Sequence, residues 1–245
     1  MVFCTDFNCG TGSLSIFEGG GWHSLGVTPI FATSCGSTQT YYWVCAAGYT
    51  WLDRNLGASR VATSSTDYQA YGSLYQWGRQ SDSHQCITWT SATSGTPVNG
   101  TTTTQCSSGT CANALYVTRS DYPIDWNNPT SNILWNGTTK GANDPCPSGY
   151  RVPSQAELTT LQTWVTANFV LGYLGFYFSP LKMPVAGSRN YGAGALFGAG
   201  SNSYYWSSTY GSSSSTAYNL YLYIGGSSIL DSYRAGAFSV RCIAQ

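Results

Sequence analysis

The side chains best suited to covalent or acid–base chemistry in this chain are nine cysteines and two histidines. The number of cysteines favours disulfides and an oxidising, extracellular setting, and no pair has the C-x-x-C spacing of zinc or redox sites. Because nine is odd, at least one thiol is free or forms an intermolecular disulfide. The alternatives to a set of disulfides are buried free thiols or a metal cluster. Cys4 with Cys9 and Cys106 with Cys111 have spacings compatible with small disulfide loops. The others are Cys35, Cys45, Cys86, Cys146 and Cys242.

The two histidines do not complete a catalytic constellation. His23 and His84 are isolated, and no Ser-His-Asp order, paired catalytic carboxylates or phosphate-binding loop emerges. We interpret His84, in GRQSDSHQC, as a hydrogen-bonded loop residue and not as a catalytic base. The sequence thus predicts a protein that is not an enzyme and has no cofactor. A structural calcium site is retained as an alternative, because Asn and Asp, whose oxygens can ligate calcium, lie beside Pro in WNNP (126–129) and GANDP (141–145).

The composition limits the classes of partner. The formal net charge is zero and only 8% of residues are charged, so no basic excess exists to neutralise nucleic-acid phosphates. No apolar run is long enough for a transmembrane segment, and the start, MVFCTDFNCG, does not have the pattern of a signal peptide. Aromatic residues make up 15% of the chain, which is typical of proteins that contact other surfaces.

Residues 187–237 consist mostly of four residue types, with 12 Ser, 9 Gly, 8 Tyr and 3 Asn. Antibody paratopes use the same types, since Tyr gives a large contact area and Ser, Gly and Asn give adaptable hydrogen bonds. The run YNLYLYI alternates as a strand does, which predicts that Leu220, Leu222 and Ile224 point inward while Tyr221 and Tyr223 point outward. The alternative is purely structural, because Tyr is common in strands and Ser/Gly tracts are common in loops.

Two helices and several short strands must position these residues. RVPSQAELTTLQTWV predicts a helix with a capping box of Ser154 and Glu157 and an apolar stripe of Leu158, Leu161 and Val165. A helix of two to three turns is predicted to begin at Ser65 or Asp67 and to continue through residues 71–78. Residues 1–40 are interpreted as an N-terminal extension that is either separate or part of the same domain. Residues 81–145 are interpreted as a surface insertion held by cysteines and not by a core. The predicted fold class is α+β.

Five motifs occur in order across residues 51–242: WLDRNLGASR, YGSLYQWGR, CPSGYRVPSQAEL, YYWSST and SVRC. Together they resemble the FISUMP-type domain, a branch of the C-type lectin fold related to formylglycine-generating enzymes. Many such domains are variable proteins of diversity-generating retroelements. The resemblance implies two helices packed on small antiparallel sheets with long irregular loops, in a domain at 41–245 whose N- and C-terminal strands pair. It also implies a disulfide between Cys146 and Cys242.

The resemblance further implies that residues 187–237 are diversified by reverse transcription and bind a protein or cell-surface ligand. The rewritten codons cannot encode Lys, Glu, Gln, Met or Trp, and the first four are missing from this window, whereas the chain has nine Gln in all. The framework between the varied positions is predicted to keep its role, with Trp206, Ser207 and Ser208 in the turn and core and Arg241 and Cys242 closing the domain. The predicted ligand-facing residues are Ser188, Ala193, Phe197, Ser203, Tyr204, Tyr210, Gly211, Ser212, Tyr221, Tyr223, Ile229, Leu230, Asp231, Ser232, Tyr233, Ala235 and Gly236.

The predicted location is extracellular, on a cell surface or on a virion, and the oligomeric state is open. Three other functions are weighed against a variable ligand-binding protein. The first is an invariant surface adhesion module of the same fold. The others are a calcium-dependent carbohydrate lectin and an enzyme of the formylglycine-generating type, for which no redox pair of cysteines is recognisable.

Overall fold

The computed structural model describes residues 15–18, 21–24, 29–135 and 138–245. Within them the chain forms two α-helices and many short strands in small, mostly antiparallel sheets. The architecture is therefore α+β with few helices, as the sequence predicts. Cys4, Cys9 and the side chain of His23 lie outside the described residues, as does much of the extension predicted for residues 1–40.

One four-stranded sheet joins the C-terminus to the start of the region 41–245. Its strands, in spatial order, are β12 (Tyr150–Arg151), β19 (Ile243–Ala244), β6 (Tyr49–Leu52) and β5 (Trp43–Ala46). Ile243 of β19 lies opposite Trp51 of β6, and the Leu52 amide donates to the Cys242 carbonyl at 2.9 Å. The predicted Cys146–Cys242 disulfide is present beside this sheet. The predicted pairing of N- and C-terminal strands is confirmed.

A second four-stranded sheet has the order β14 (Leu196–Phe197), β13 (Ser188–Arg189), β18 (Ala237–Phe238) and β7 (Tyr75–Gln76). All its pairings are antiparallel, with Arg189 opposite Ala237 and Phe238 opposite Tyr75. The sheet therefore fixes both ends of the segment 187–237 to the motif YGSLYQWGR.

The longest strands form a three-stranded antiparallel sheet of β15 (Ser203–Tyr210), β16 (Thr216–Tyr223) and β17 (Gly226–Tyr233). Leu220 and Leu222 are fully buried, as predicted, and belong to the apolar cluster formed with the helices. Tyr221 and Tyr223 lie on the opposite face. The prediction for Ile224 is wrong: β16 ends at Tyr223, so Ile224 starts the turn to β17 and is 68% exposed.

Two-stranded units complete the described sheets. They are β1 (Ser15–Glu18) with β2 (Gly21–Ser24), β3 (Ile30–Ser34) with β4 (Ser37–Tyr41), β8 (Ile87–Ser91) with β9 (Ser94–Pro97), and the parallel pair β10 (Thr101–Thr102) and β11 (Tyr116–Val117). The β3–β4 hairpin packs Ile30 and Ala32 against the core. A Cys35–Cys86 disulfide, which the sequence does not predict, links its turn to the residue before β8.

The helix α1 (Gln155–Asn168) confirms the prediction made from its capping box. The Ser154 hydroxyl accepts from the Glu157 amide, and the Glu157 carboxylate accepts from the Ser154 amide. Leu158, Leu161 and Val165 are buried, as their spacing predicts. The short helix α2 (Tyr173–Phe178) follows. No helix among the described residues is long and apolar enough to cross a membrane.

The helix predicted from Ser65 or Asp67 is reduced to one 3-10 turn, Tyr68–Ala70, which Asp67 caps. Gly72 adopts a φ of +71°, and a Cβ there would lie 2.6 Å from the Leu56 carbonyl oxygen, so the backbone leaves the helical path at a close approach. The next residues, Tyr75–Gln76, pair with β18 instead. Helical spacing in this stretch is therefore overridden by sheet pairing.

The insertion 81–145 contributes to the core, so the prediction that only cysteines hold it is wrong. Cys106–Cys111 is present as predicted. However, Tyr116, Trp126 and Trp135 are also fully buried. The ring of Trp135 lies 5.9 Å from that of Trp77.

Trp206, in the middle of the molecule, is fully buried. Its Nε1–H donates to the Tyr75 carbonyl at 2.7 Å and its ring lies 4.2 Å from that of Phe238. We expect Trp206→Ala to lower the free energy of unfolding by about 3–5 kcal/mol, because it leaves a large cavity and an orphaned carbonyl. Urea unfolding monitored by circular dichroism measures this.

The matched control is Trp164→Ala, since Trp164 is only half-buried on α1. Its loss is expected to stay below about 2 kcal/mol. Equal losses at the two tryptophans would contradict the central role of Trp206.

Candidate functional site

A groove opens where the second four-stranded sheet meets the end of β17. Its volume is about 240 Å³. Its lining comprises Ser188, Arg189, Asn190, Tyr191, Phe197, Tyr204, Ser232, Tyr233, Gly236 and Phe238. Half of these ten residues are aromatic and none is acidic. The groove therefore offers apolar ring surface edged by hydroxyl and amide groups.

Arg189 is the one charged residue of the lining, and its charge is already used by the protein. Only 2% of the residue is exposed. Its Nε donates to the Gly194 carbonyl at 2.7 Å, and its guanidinium carbon lies 4.0 Å from the centre of the Tyr116 ring. Burial lowers the pKa of Arg189 to about 10, so the group stays protonated at neutral pH. A ligand in the groove thus meets little free positive charge.

Exposed aromatic rings form the walls of the groove. The rings of Tyr191 and Tyr233 meet edge to face with centroids 5.1 Å apart. Phe197, on β14, is 66% exposed. Rings that pack on each other, as Tyr191 and Tyr233 do, lose little further side-chain entropy on binding, and contiguous exposed aromatic surface is typical of interaction sites.

A stack of aromatic rings runs from the core to the surface beside the groove. Phe238 stacks on Tyr204 at 4.7 Å, Tyr204 on Tyr221 at 4.6 Å, and Tyr221 on Tyr223 at 5.1 Å. Burial, with a smaller effect of Tyr221, raises the pKa of Tyr204 to about 12, so its hydroxyl is neutral under physiological conditions. Because Trp206 touches Phe238, the stack connects the surface to the core.

The structure brings six of the predicted ligand-facing residues together at the groove. They are Ser188, Phe197, Tyr204, Ser232, Tyr233 and Gly236. Ser188 and Gly236 are mostly buried and present only a small part of their surface. The other four of these six residues therefore supply most of the side-chain surface that the predicted residues contribute to the groove.

The other predicted residues lie outside the groove. Tyr210, Ser212, Leu230, Asp231 and Ala193 are exposed, and Tyr221, Tyr223, Ile229 and Gly211 are half-buried. Ser203 and Ala235 are fully buried, so their side chains do not reach the surface.

Strand alternation divides the predicted residues of β17 between two faces. Ile229 pairs with Leu220 and contacts the helix-side cluster, whereas Leu230 pairs with Asn219 on the other face. Consecutive residues of a strand point in opposite directions, so no ligand lying on one face contacts them all.

Four groove residues were not predicted from the sequence: Arg189, Asn190, Tyr191 and Phe238. Tyr191 lies within the Tyr-rich window 187–237, so its residue type and position were sufficient to add it to the predicted ligand-facing residues. In the structure it is 36% exposed. Phe238 lies one residue beyond that window and lines the groove because β18 pairs with β7 and β13.

The sequence suggested a structural calcium site at two turns, 126–129 and 141–145. In the structure, polar side chains of both turns form hydrogen bonds with backbone groups of the protein. The Asn127 side chain accepts from the Gly109 amide at 2.8 Å and donates to the Pro129 carbonyl at 2.7 Å. The Asp144 carboxylate accepts from the amides of Cys146 and Val152. Among the described residues, no group of three or more His, Cys, Asp or Glu side chains could hold a metal ion.

His84 is fully buried and bonded on both ring nitrogens. Nδ1 lies 2.6 Å from the Asp82 carboxylate, and Nε2 accepts from the Gln76 amide at 3.1 Å. In this arrangement the neutral ring carries its proton on Nδ1. Burial, aided by nearby Arg79, lowers the pKa of His84 to about 4.

Neither a protein family, nor a curated protein, nor a solved structure matches the chain. The site is therefore interpreted from its own geometry.

Substitution of the exposed groove aromatics should leave the fold intact. We expect Phe197→Ser and Tyr233→Ser to shift the melting temperature by less than about 2 °C, since exposed side chains contribute little to stability. Differential scanning fluorimetry measures this, with Tyr205→Ser as the buried control, which should lower the melting temperature much more. A large decrease at Phe197 would assign that ring to the core.

His84 should make stability depend on pH. Because its folded pKa lies below the ordinary value of 6.5, its contribution is complete above that pH and is lost as the pH falls toward 4. Relative to His84→Gln, which keeps an acceptor for the Gln76 amide, the native protein should lose up to about 3 kcal/mol of unfolding free energy between pH 7 and pH 4.

Urea unfolding at several pH values tests this difference. Burial raises the pKa of Asp125 to about 7, which acts in the opposite direction, but this effect is common to both proteins and cancels. Parallel stability curves would show that His84 is not the group responsible.

Proposed function

We propose that this chain is a ligand-binding variable protein, in which a scaffold of the C-type lectin fold displays diversified side chains. The observation that carries the proposal is the aromatic groove, whose one charged residue is buried. Six of the residues predicted to face the ligand line it, and all of them come from the segment 187–237. No catalytic step is part of the proposal.

Contacts between the five motifs support the scaffold part of the proposal. The Arg241 guanidinium of SVRC donates to Asn55 Oδ1 of WLDRNLGASR at 2.9 Å. Trp206 of YYWSST donates to Tyr75 of YGSLYQWGR, and Cys146 is bonded to Cys242. Motifs far apart in sequence therefore meet, which is expected if they define one fold family.

A division between framework and display within residues 187–242 supports the diversified part. The framework residues Trp206, Ser207, Arg241 and Cys242 are at most 1% exposed. In contrast, Phe197, Tyr210 and Tyr233 expose between 39% and 66% of their surface. Substitutions at the exposed positions would change the surface without removing core contacts.

The chemistry of the groove suggests a neutral partner. Exposed rings and hydroxyl groups favour a protein surface or a cell-surface ligand that offers apolar groups together with hydrogen-bond donors and acceptors. Three disulfides between described residues are typical of extracellular proteins, and we propose a cell surface or virion as the location.

Nucleotide sequences of this gene from many independent isolates test the proposal. We expect a nearby template repeat, a reverse transcriptase gene, and substitutions confined to template adenines. The changes should fall at exposed codons such as those of Phe197, Leu230 and Tyr233, while the codons of Trp206 and Cys242 stay constant.

An invariant adhesion module of the same fold is the other outcome. It would lack the template repeat, and its substitutions would be spread over the gene. That result would overturn the diversified part of the proposal and leave the groove as the binding surface of an unchanging protein.

A further inference from the structure

The strand β17 forms one edge of the three-stranded sheet. It pairs with β16 in continuous register from Thr216↔Tyr233 to Tyr223↔Gly226, and the register shift of this sheet lies between β15 and β16. The sheet order places no described strand on the other side of β17. Eight residues of regular backbone therefore lie along this edge.

The hairpin geometry determines which backbone groups point outward. A two-residue turn at 224–225 makes Tyr223↔Gly226 a hydrogen-bonded pair, and such pairs alternate with non-bonded pairs along an antiparallel ladder. The amides and carbonyls of Ser227, Ile229 and Asp231 consequently face away from β16. Within the described part of the chain, no backbone–backbone hydrogen bond outside the β16–β17 ladder reaches these outward groups.

Among the described residues, little protects this edge against strand addition. Natural edge strands are commonly blocked by lysine, proline or a bulge, and β17, with the sequence GSSILDSY, has neither of those residues. Its one charge, Asp231, is turned back into its own sheet region, because its carboxylate accepts hydrogen bonds from the Ser212 amide and hydroxyl.

We propose that β17 receives an extended polypeptide segment of the ligand as a fourth strand of this sheet. Only another extended backbone matches a row of alternating amides and carbonyls, and strand addition is a recurring mode of peptide recognition. The inference rests on the proposed function and specifies its partner as a protein. Backbone bonds do not depend on side-chain identity, so this part of the binding would survive diversification.

The position of the groove favours a ligand segment over a second copy of this chain. Ser232 and Tyr233 belong both to β17 and to the groove lining, so a ligand strand added to this edge lies next to the groove and can contact it with its side chains.

Random linear peptides, displayed on phage and selected on the full chain, provide the probe. In the unbound protein, amide hydrogen exchange at Ser227, Ile229 and Asp231 should be about tenfold or more faster than at Ser228 and Leu230, which bond to β16. A selected peptide should slow the exchange of the three outward amides.

Variants of both partners test the backbone contribution. N-methylation of alternate peptide residues should weaken binding about five- to tenfold for one set of positions and little for the intervening set. Ser227→Pro removes an outward amide at an edge that tolerates proline, and should weaken binding similarly. Ser227→Ala is the matched control, since it removes the hydroxyl but keeps the amide.

Two results would overturn this inference. One is a selection that yields no peptide, or peptides that leave the outward amides unprotected and tolerate methylation. The other is protection already present in the unbound protein together with a concentration-dependent dimer in sedimentation, which assigns the edge to a second copy of the chain.

Neither result decides the proposed function, which the nucleotide comparison tests separately. If the codons are diversified but peptides do not protect the outward amides of β17, the groove is the binding site and the edge of β17 is not. Protected amides without a template repeat would assign the edge to an invariant adhesion module.

Discussion

Buried arginines hold the irregular segments of this chain against its sheets. Arg79, Arg189, Arg234 and Arg241 are each at most 2% exposed. Their guanidinium groups donate mainly to backbone carbonyls, including those of Leu115, His84, Ser131 and Leu181. Burial of a charge is costly unless its donors are satisfied, and a guanidinium has five of them. Each arginine therefore requires a particular loop to stay in place, which gives the long connections a defined structure without helices or strands of their own.

These constraints explain why the candidate site presents little free charge although Arg189 belongs to it. Arg189 lies beneath the groove, but its bonds to carbonyl groups and its contact with Tyr116 leave aromatic and hydroxyl groups at the surface. Arg234 acts similarly at the end of β17, where it stacks on Trp77 and lies 3.7 Å from buried Asp125. The supporting arginines are buried whereas Phe197 and Tyr233 are exposed, so substitutions of these two residues are expected to cost little unfolding free energy.

The groove and the edge of β17 offer two different kinds of recognition that meet at Tyr233. In the proposed function, side chains around the groove would recognise a ligand by shape and by ring contacts, which depend on residue identity. The outward backbone of β17 would recognise only an extended chain, whatever its sequence. A surface that combines both retains a constant source of affinity while its specificity changes, which suits the proposed diversified protein.

The sequence by itself determined the features that depend on near neighbours or on motif pairs. It predicted α1 from Ser154 and Glu157 and the inward Leu220 and Leu222, and the spacing of Cys106 and Cys111 was compatible with the disulfide found. The disulfide of Cys146 with Cys242 was implied by the resemblance of the motifs that contain them. Only the tertiary structure decided that the helix expected near Tyr71 is reduced to a single 3-10 turn ending at Ala70, and that Cys35 bonds Cys86. It also decided that Ser203 and Ala235 are buried while Tyr191 lines the groove. Caps and alternation act within a few residues, whereas burial depends on which distant strands pair, and local spacing does not encode that choice.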